Sequence, residues 1–160
     1  MTTPIYLVRH AKAGSRARWV EPDHLRPLTK PGRRQAKALV ALFAEQPISR
    51  LVSSPYIRCV ETLEPLAVAR NLEIELAEEL GEGAGDALEL MLSIAADGPA
   101  ALSTHGDVMQ LSVGKLVAMG TPLSDGDQFD LAKGSTWIVD VDGGAFTEAR
   151  YMPPPETQDS

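Results

Sequence analysis

The sequence predicts an α/β protein: a three-layer αβα sandwich around a mostly parallel sheet, with an antiparallel hairpin at its edge. Short apolar runs rich in β-formers alternate with segments whose apolar residues recur at helical spacing, and no internal repeat interrupts them. That alternation is the pattern of parallel strands joined by covering helices. Near the C-terminus two β-rich runs are separated only by Asp142-Gly143-Gly144-Ala145, a hairpin signal. At 160 residues, 44% hydrophobic and 23% charged, the chain suits one continuous core. Residues 1–152 are therefore expected to form a single domain, and 153–160, opened by three prolines, a polar tail.

Pro4 to Val8 reads as the first strand, followed by a polar loop from Lys12 to Leu28, a length that points to function. Thr29 is placed to cap a helix with Pro31 in its first turn. Ala36, Leu39, Val40 and Phe43 then fall at i, i+3, i+4 and i+7, and the helix should end before Pro47. Ile48 to Val52 gives a second strand. From Tyr56 a second helix buries Val60, Leu63 and Ala67 and should kink or restart near Pro65. Leu72 to Leu76 reads as the third strand, and Ala77 to Gly85 as an acidic, Gly-rich loop. Asp86 can cap a helix over 87–96, and the strand Ala100–Ser103 leads to His105. A helix from Asp107 to Met119 ends at Gly120. Ser135–Val141 and Phe146–Met152 form the hairpin, with Trp137 in the core, whereas Trp19 could lie at a rim or inside.

Charge is unevenly distributed. Residues 1–40 hold nine Lys/Arg against Glu21 and Asp23, although the whole chain carries −7. A pI of 4.9 argues against general nucleic-acid binding, because affinity for a phosphate backbone needs many cations. A local basic mouth on an acidic body suits a compact anion instead. No charged-then-apolar leader and no bilayer-length apolar stretch occurs, so a cytoplasmic protein without membrane contact is expected. The single cysteine, Cys59, is expected to be packing.

Chemistry concentrates where strands end. Arg9-His10-Ala11 follows the first strand, Thr104-His105-Gly106 the fourth, and Arg58 the second. In open α/β sheets the carboxyl edge of the strands holds the site. An imidazole of ordinary pKa, ~6.5, can attack phosphorus if its other nitrogen is held, so His10 is the candidate nucleophile. Arg9 and Arg58 can fork N–H donors onto the phosphoryl oxygens. His105, expected to be protonated beside the phosphate, adds a donor, and Gly106 permits close backbone approach. Asp107 reads as a helix-start residue. A metal site built from His10 and His105 lacks the usual ligand spacing, so neither a metal nor a cofactor is expected.

These segments resemble the histidine phosphatase (phosphoglycerate mutase-like) superfamily in four ordered motifs: Leu7-Val8-Arg9-His10, Leu28-Thr29-Lys30-Pro31-Gly32-Arg33-Arg34-Gln35-Ala36, Ser53-Ser54-Pro55-Tyr56-Ile57-Arg58-Cys59-Val60-Glu61-Thr62, and Thr104-His105-Gly106. The short chain is similar to the SixA-type phosphohistidine phosphatases. Lys12-Ala13-Gly14-Ser15-Arg16 and Gly134-Ser135-Thr136-Trp137 also look like the phosphatase domain joined to Nudix (MutT-type) hydrolases in some actinobacteria. The resemblance implies His10 as the phosphorylated residue, with Arg9, Arg58 and His105 as its phosphate pocket. Ala11 stands where the family most often has Gly, with the backbone N–H retained. The family also implies an acid in the loop after the third strand, where Glu78, Glu79 and Glu82 compete; Glu79 is the expected one.

Three functions remain open on this reading. The first is a SixA-like phosphatase acting on phosphohistidine in a protein. The second is a phosphatase for nucleotides or other small polyphosphates, with Lys12, Arg16 and Arg18 as outer substrate-binding cations. The third is a phosphate-binding module without turnover. The partner expected is accordingly a phosphorylated protein or a small phosphate-bearing substrate.

Overall fold

The computed structural model describes residues 1–157, so the last three residues of the expected polar tail lie outside the described residues. The chain runs β1 (Thr3–Arg9), a long loop with a 3-10 turn at Asp23–Leu25, α1 (Lys30–Leu42), β2 (Leu51–Ser53), α2 (Ile57–Arg70) and β3 (Ile74–Leu76). A second 3-10 turn at Glu78–Leu80 leads to α3 (Leu88–Ala95), β4 (Ala100–Thr104), α4 (Gly106–Ala118), β5 (Leu123–Ser124), β6 (Thr136–Asp142) and β7 (Ala145–Met152). All seven strands join one sheet in the order β3-β2-β4-β1-β6-β7-β5. β3, β2, β4 and β1 are parallel to one another. β6 runs antiparallel to β1 and to β7, and β5 adds parallel to β7.

The two faces of β1 show why this becomes a sandwich. Successive strand residues point to opposite faces. Ile5 and Leu7 pack with Met91 and Ile94 of α3 and Val108, Val113 and Leu116 of α4. Tyr6 and Val8 pack with Leu39 of α1, Phe43 just beyond it, and Leu63 and Leu66 of α2. Because both faces are covered, β1, β2 and β4 carry the nearly continuous apolar runs visible in the sequence. Trp137 is fully buried, as expected, and donates its indole N–H to the Asp130 carbonyl at 2.9 Å. Trp19 remains half-exposed on the long loop, bonded to Pro22 O at 3.1 Å.

Several boundaries differ from the sequence expectation for identifiable reasons. β3 starts at Ile74, not Leu72, because Asn71 closes α2 in the left-handed region (φ 54°) and the Leu72 N–H is used by Ala67 O. β2 starts at Leu51, since Ile48 and Ser49 give their N–H groups to Gln46 and Pro99. Pro65 neither kinks α2 into two elements nor ends it; one helix carries Leu63 and Leu66 into the core on either side of it. β5 was not expected at all, two residues being too few to show a period.

The long loop is pinned to the start of α1. Thr29 caps that helix by accepting the Gly32 N–H at 3.1 Å, and its own N–H and hydroxyl both donate to Lys12 O. Gly32 is required there, because a Cβ on it would lie 1.9 Å from the Lys12 carbonyl oxygen. Gly114, in the middle of α4, has nothing within 4 Å of a built Cβ. Opposite effects of one substitution type are therefore expected in urea unfolding. Gly32→Ala should cost about 1–3 kcal/mol by overpacking. Gly114→Ala should stabilise by up to about 1 kcal/mol through helix propensity.

Candidate active site

β1 and β4 are parallel neighbours with Arg9 opposite Thr104, and the His10 N–H donates to Thr104 O at 2.9 Å. That pairing brings the next residue of each strand, His10 and His105, to one level at the carboxyl edge. Their ring centroids lie 5.5 Å apart at 68°. Arg9, His10, Arg16, Arg58, Glu82, His105, Gly106 and Asp107 line a cavity of about 290 Å³ together with Gln110 and Leu131.

The imidazole of His10 is oriented by its own backbone. Nδ1 lies 2.8 Å from Ala11 O, which can only accept, so Nδ1 carries the proton and Nε2 keeps its lone pair. Burial, then the positive fields of Arg58, His105 and Arg9, pushes its pKa down to about 3 despite the Ala11 bond. Ala11's N–H is retained but not free: it donates to Thr62 Oγ1 at 3.0 Å, and Thr62 in turn donates to Arg58 O. The i, i+4 spacing of Arg58 and Thr62 thus ties α2 to the loop that follows His10.

His105 differs from its expected state. Burial first, then Arg58, pushes it down to about 4, so it is neutral at working pH rather than protonated. Its Nε2 lies 2.9 Å from Ser54 Oγ, and that hydroxyl also accepts the Tyr56 N–H. Ser54 can then give its proton to Nε2, which leaves the imidazole N–H on Nδ1, an atom without a partner among the described residues. Cys59 Sγ sits 3.5 Å below the same Nε2; burial pushes its thiol up to about 12, consistent with packing.

Arg9 donates to Leu131 O at 2.6 Å, and its guanidinium rests on Gly106, where a Cβ would come within 2.7 Å of Cζ. Gly106 therefore seats Arg9 as well as lining the cavity. Arg58 is fully buried in the first turn of α2. It donates to Asp23 O at 2.9 Å, Asp23 Oδ2 at 3.0 Å and Glu82 Oε2 at 2.8 Å. Arg9 Nε and Arg58 Nε have no acceptor among the described residues. Buried donors left in that condition cost free energy until an acceptor arrives.

This geometry separates the three competing glutamates. Glu79 is exposed on the 3-10 turn, whose buried residue is its neighbour Leu80, and it borders a separate depression with Ala84, Asp86 and Glu89. Of the three glutamates Glu82 lines the cavity, with Asp107; Glu78 is exposed like Glu79. Two bonds hold Glu82 there: Thr104 Oγ1 donates to Leu80 O at 2.7 Å, and the Gly83 N–H donates to Asp107 Oδ2 at 2.8 Å. Asp107, expected only to start a helix, does so and also fixes this loop.

Of the expected outer cations, Arg16 lines the cavity and pairs with Glu82 at 2.8 Å, whereas Lys12 and Arg18 are exposed and do not line it. Sequence reasoning passed over Asp23, whose carboxylate bridges Arg58 and the buried Arg26, bonded at 3.0 Å. The available signal was an Asp three residues before an Arg in a long loop. Lys133 was also missed. It is exposed, 123 residues downstream of His10 in sequence, and its neighbour Gly134 gives its N–H to the Arg9 and His10 carbonyls; desolvation and the charges of Arg9, Arg26, Lys12 and Arg16 lower its pKa.

Comparison with known proteins bears on the family and the fold. The histidine phosphatase superfamily (branch 1) profile matches residues 5–97. A curated relative from Mycolicibacterium smegmatis, an 8-oxo-(d)GTP phosphatase, is 32% identical over 97% of this chain but is matched over only 49% of its own length. The chain thus spans about half of that relative. The protein histidine phosphatase SixA, solved with tungstate, superposes with a TM-score of 0.71 at 20% identity, covering 96% of each chain. A phosphoserine phosphatase from Entamoeba histolytica superposes at 0.68 with 16% identity, covering 92% of this chain and 96% of that one. Such low identities speak for the fold, and the matched profile for the family. The chain belongs to the histidine phosphatase superfamily, branch 1.

Proposed function

We propose that the chain removes the terminal phosphate of small phosphorylated molecules, nucleotides foremost, through a phosphohistidine on His10. The observation that carries this reading is the free Nε2 of His10, set by the Nδ1 bond to Ala11 O, in one cavity with Arg9, Arg58 and His105. Nε2 attacks phosphorus, the P–O bond to the leaving group breaks, and its electron pair goes to the departing oxygen. Arg9, Arg58 and the His105 N–H stabilise the three equatorial oxygens as charge spreads over them. Phosphate oxygens replace Glu82 as a partner of Arg58, and the released carboxylate takes up a proton from solvent and gives it to the leaving oxygen. Glu82 then takes a proton from water, water attacks the phosphohistidine, and the P–N electron pair returns to Nε2.

The sequence placed a SixA-like protein phosphatase first and the small-molecule reading second. We reverse that order. The relative that shares 32% of its residues across nearly this whole chain is a nucleotide phosphatase, while SixA is 20% identical. The cationic mouth also exceeds what a single phosphoryl group needs. Steady-state kinetics on nucleoside mono-, di- and triphosphates beside a phosphohistidine peptide should give the higher kcat/KM for a nucleotide. A peptide preferred over every nucleotide restores the SixA-like reading. His10→Ala should lower turnover by at least ~10³-fold on whichever substrate is best and abolish the phosphorylated protein seen by mass spectrometry.

Acid tolerance follows from the His10 environment. An imidazole at ~6.5 would be only about 3% neutral at pH 5; one held at about 3 remains almost wholly neutral there. Because kcat/KM reports the free enzyme, its profile should stay flat from pH 7 to 5 once the substrate's own ionisation is divided out. An enzyme titration near 6.5 in the corrected profile contradicts the buried neutral nucleophile.

Proton handling separates the two glutamates. On an alkyl phosphate, whose leaving group needs a proton, Glu82→Gln should reduce kcat by about 10²–10⁴. Glu79→Gln should stay within two-fold, about 0.4 kcal/mol, the scale of a surface change. The reverse ranking would return the acid to the 3-10 turn.

A further inference from the structure

The basic mouth contains two lysines that the phosphate pocket itself does not use. Lys12 follows His10 by two residues at the end of β1, and Lys133 precedes β6 on the far side of the same strand end. One side chain of α1 holds both segments. Gln35 accepts the Lys12 N–H at Oε1, 2.9 Å, and donates from Nε2 to Lys133 O at 3.4 Å. The next residue, Gly134, gives its N–H to Arg9 O and His10 O at 3.1 and 3.2 Å, which fixes the second segment against the nucleophile's own backbone.

The clamp has a steric requirement. Gly134 lies at φ +83°, and a Cβ there would meet Gln35 Nε2 at 3.2 Å, so only glycine lets the amide sit this close. Among the described residues neither lysine has a carboxylate within ion-pair distance, while Arg16, Arg26 and Arg58 all do. The charges that bear on the Lys133 ammonium, from Arg9, Arg26, Lys12 and Arg16, are all positive. Gathering unpaired like charges is unfavourable in the protein alone and becomes favourable when an anion shares them.

We propose that Lys12 and Lys133, whose backbones Gln35 ties together, form a second phosphate subsite that takes the inner phosphate of a nucleoside di- or triphosphate while its terminal phosphate faces His10. This deepens the small-molecule reading above and rests on it. The chemistry changes with the substrate: the electron pair of the broken P–O bond goes to a phosphate oxygen, which two ammonium groups stabilise without a proton from Glu82. In the structure Glu82 is an acceptor for Arg58 and Arg16, which suits a leaving group that needs no acid. Gln35 is a positioning residue, since it touches the lysine-bearing backbone rather than the substrate.

The test uses the full chain and the ratio of kcat/KM on guanosine diphosphate to that on p-nitrophenyl phosphate. Lys133→Ala should lower the ratio by at least about ten-fold, the scale of one lost hydrogen bond to a charged group. Lys133→Glu should lower it further, Lys133→Arg should largely keep it, and Gln35→Ala should lower it in the same direction. In the parent, rising salt should reduce turnover of the diphosphate more steeply than that of p-nitrophenyl phosphate. Melting temperatures identify any variant that merely unfolds, and the charge-reversal against charge-retention pair then still decides the matter. An unchanged ratio in Lys133→Ala and Lys133→Glu overturns the subsite. So does a parent that hydrolyses nucleoside monophosphates and p-nitrophenyl phosphate but no di- or triphosphate, with the phosphohistidine mechanism left standing. A parent inactive on all of them defeats the underlying functional reading instead.

Discussion

The register between β1 and β4 is the constraint on which the site depends. Arg9 opposes Thr104, and the His10 N–H closes the last inter-strand bond on Thr104 O. A slip of one residue would turn every side chain of β1 to the other face, exchanging Ile5 and Leu7 with Tyr6 and Val8. Two cores of different shape would then be filled by the wrong residues. Hydrophobic packing on both faces therefore enforces the register, and the register places two imidazoles within 5.5 Å of each other.

Burial of cations is the second organising fact. A fully buried guanidinium is tolerated only with hydrogen-bonded counter-charge, and Arg58 obtains it from Asp23 on one loop and Glu82 on another. Those loops have few apolar residues of their own to fix them. They are held by the charges they neutralise, by the Arg26 bond to Gly14 O, and by the Thr104 and Asp107 bonds around Glu82. The same contacts make the site exchangeable, since a phosphate dianion offers Arg58 what the carboxylates offer. The two histidines follow the opposite rule: without a carboxylate partner in hydrogen-bond contact, burial keeps both neutral.

Legibility in the sequence varied with the range of the interaction. The Thr29 cap, the apolar stripe of α1, the end of α4 at Gly120 and the Gly143-Gly144 hairpin turn all depend on neighbours a few residues away, and each was readable. Strand ends were less so, because whether Leu72 belongs to a strand or to a helix cap is decided by which carbonyl its N–H reaches. Among site residues, those at strand or helix ends carried a positional signal: Arg9, His10, Arg58 and His105. Glu82 was one of three equivalent carboxylates in a loop, and only its contacts with Arg58 and Arg16 distinguish it from Glu79.

The amino-acid order by itself determined the alternation of strands and helices, the parallel core, and which residues would stand at the carboxyl edge of the sheet, because periodicity and turn chemistry are local. Tertiary structure alone decided the partners: which acid meets Arg58, that Gln35 ties the Lys133 segment to that of Lys12, and that both imidazoles are neutral. Those outcomes depend on desolvation and on groups brought together from distant segments, 122 residues apart in the Arg9 bond to Leu131, and no window along the chain contains both members of such a pair.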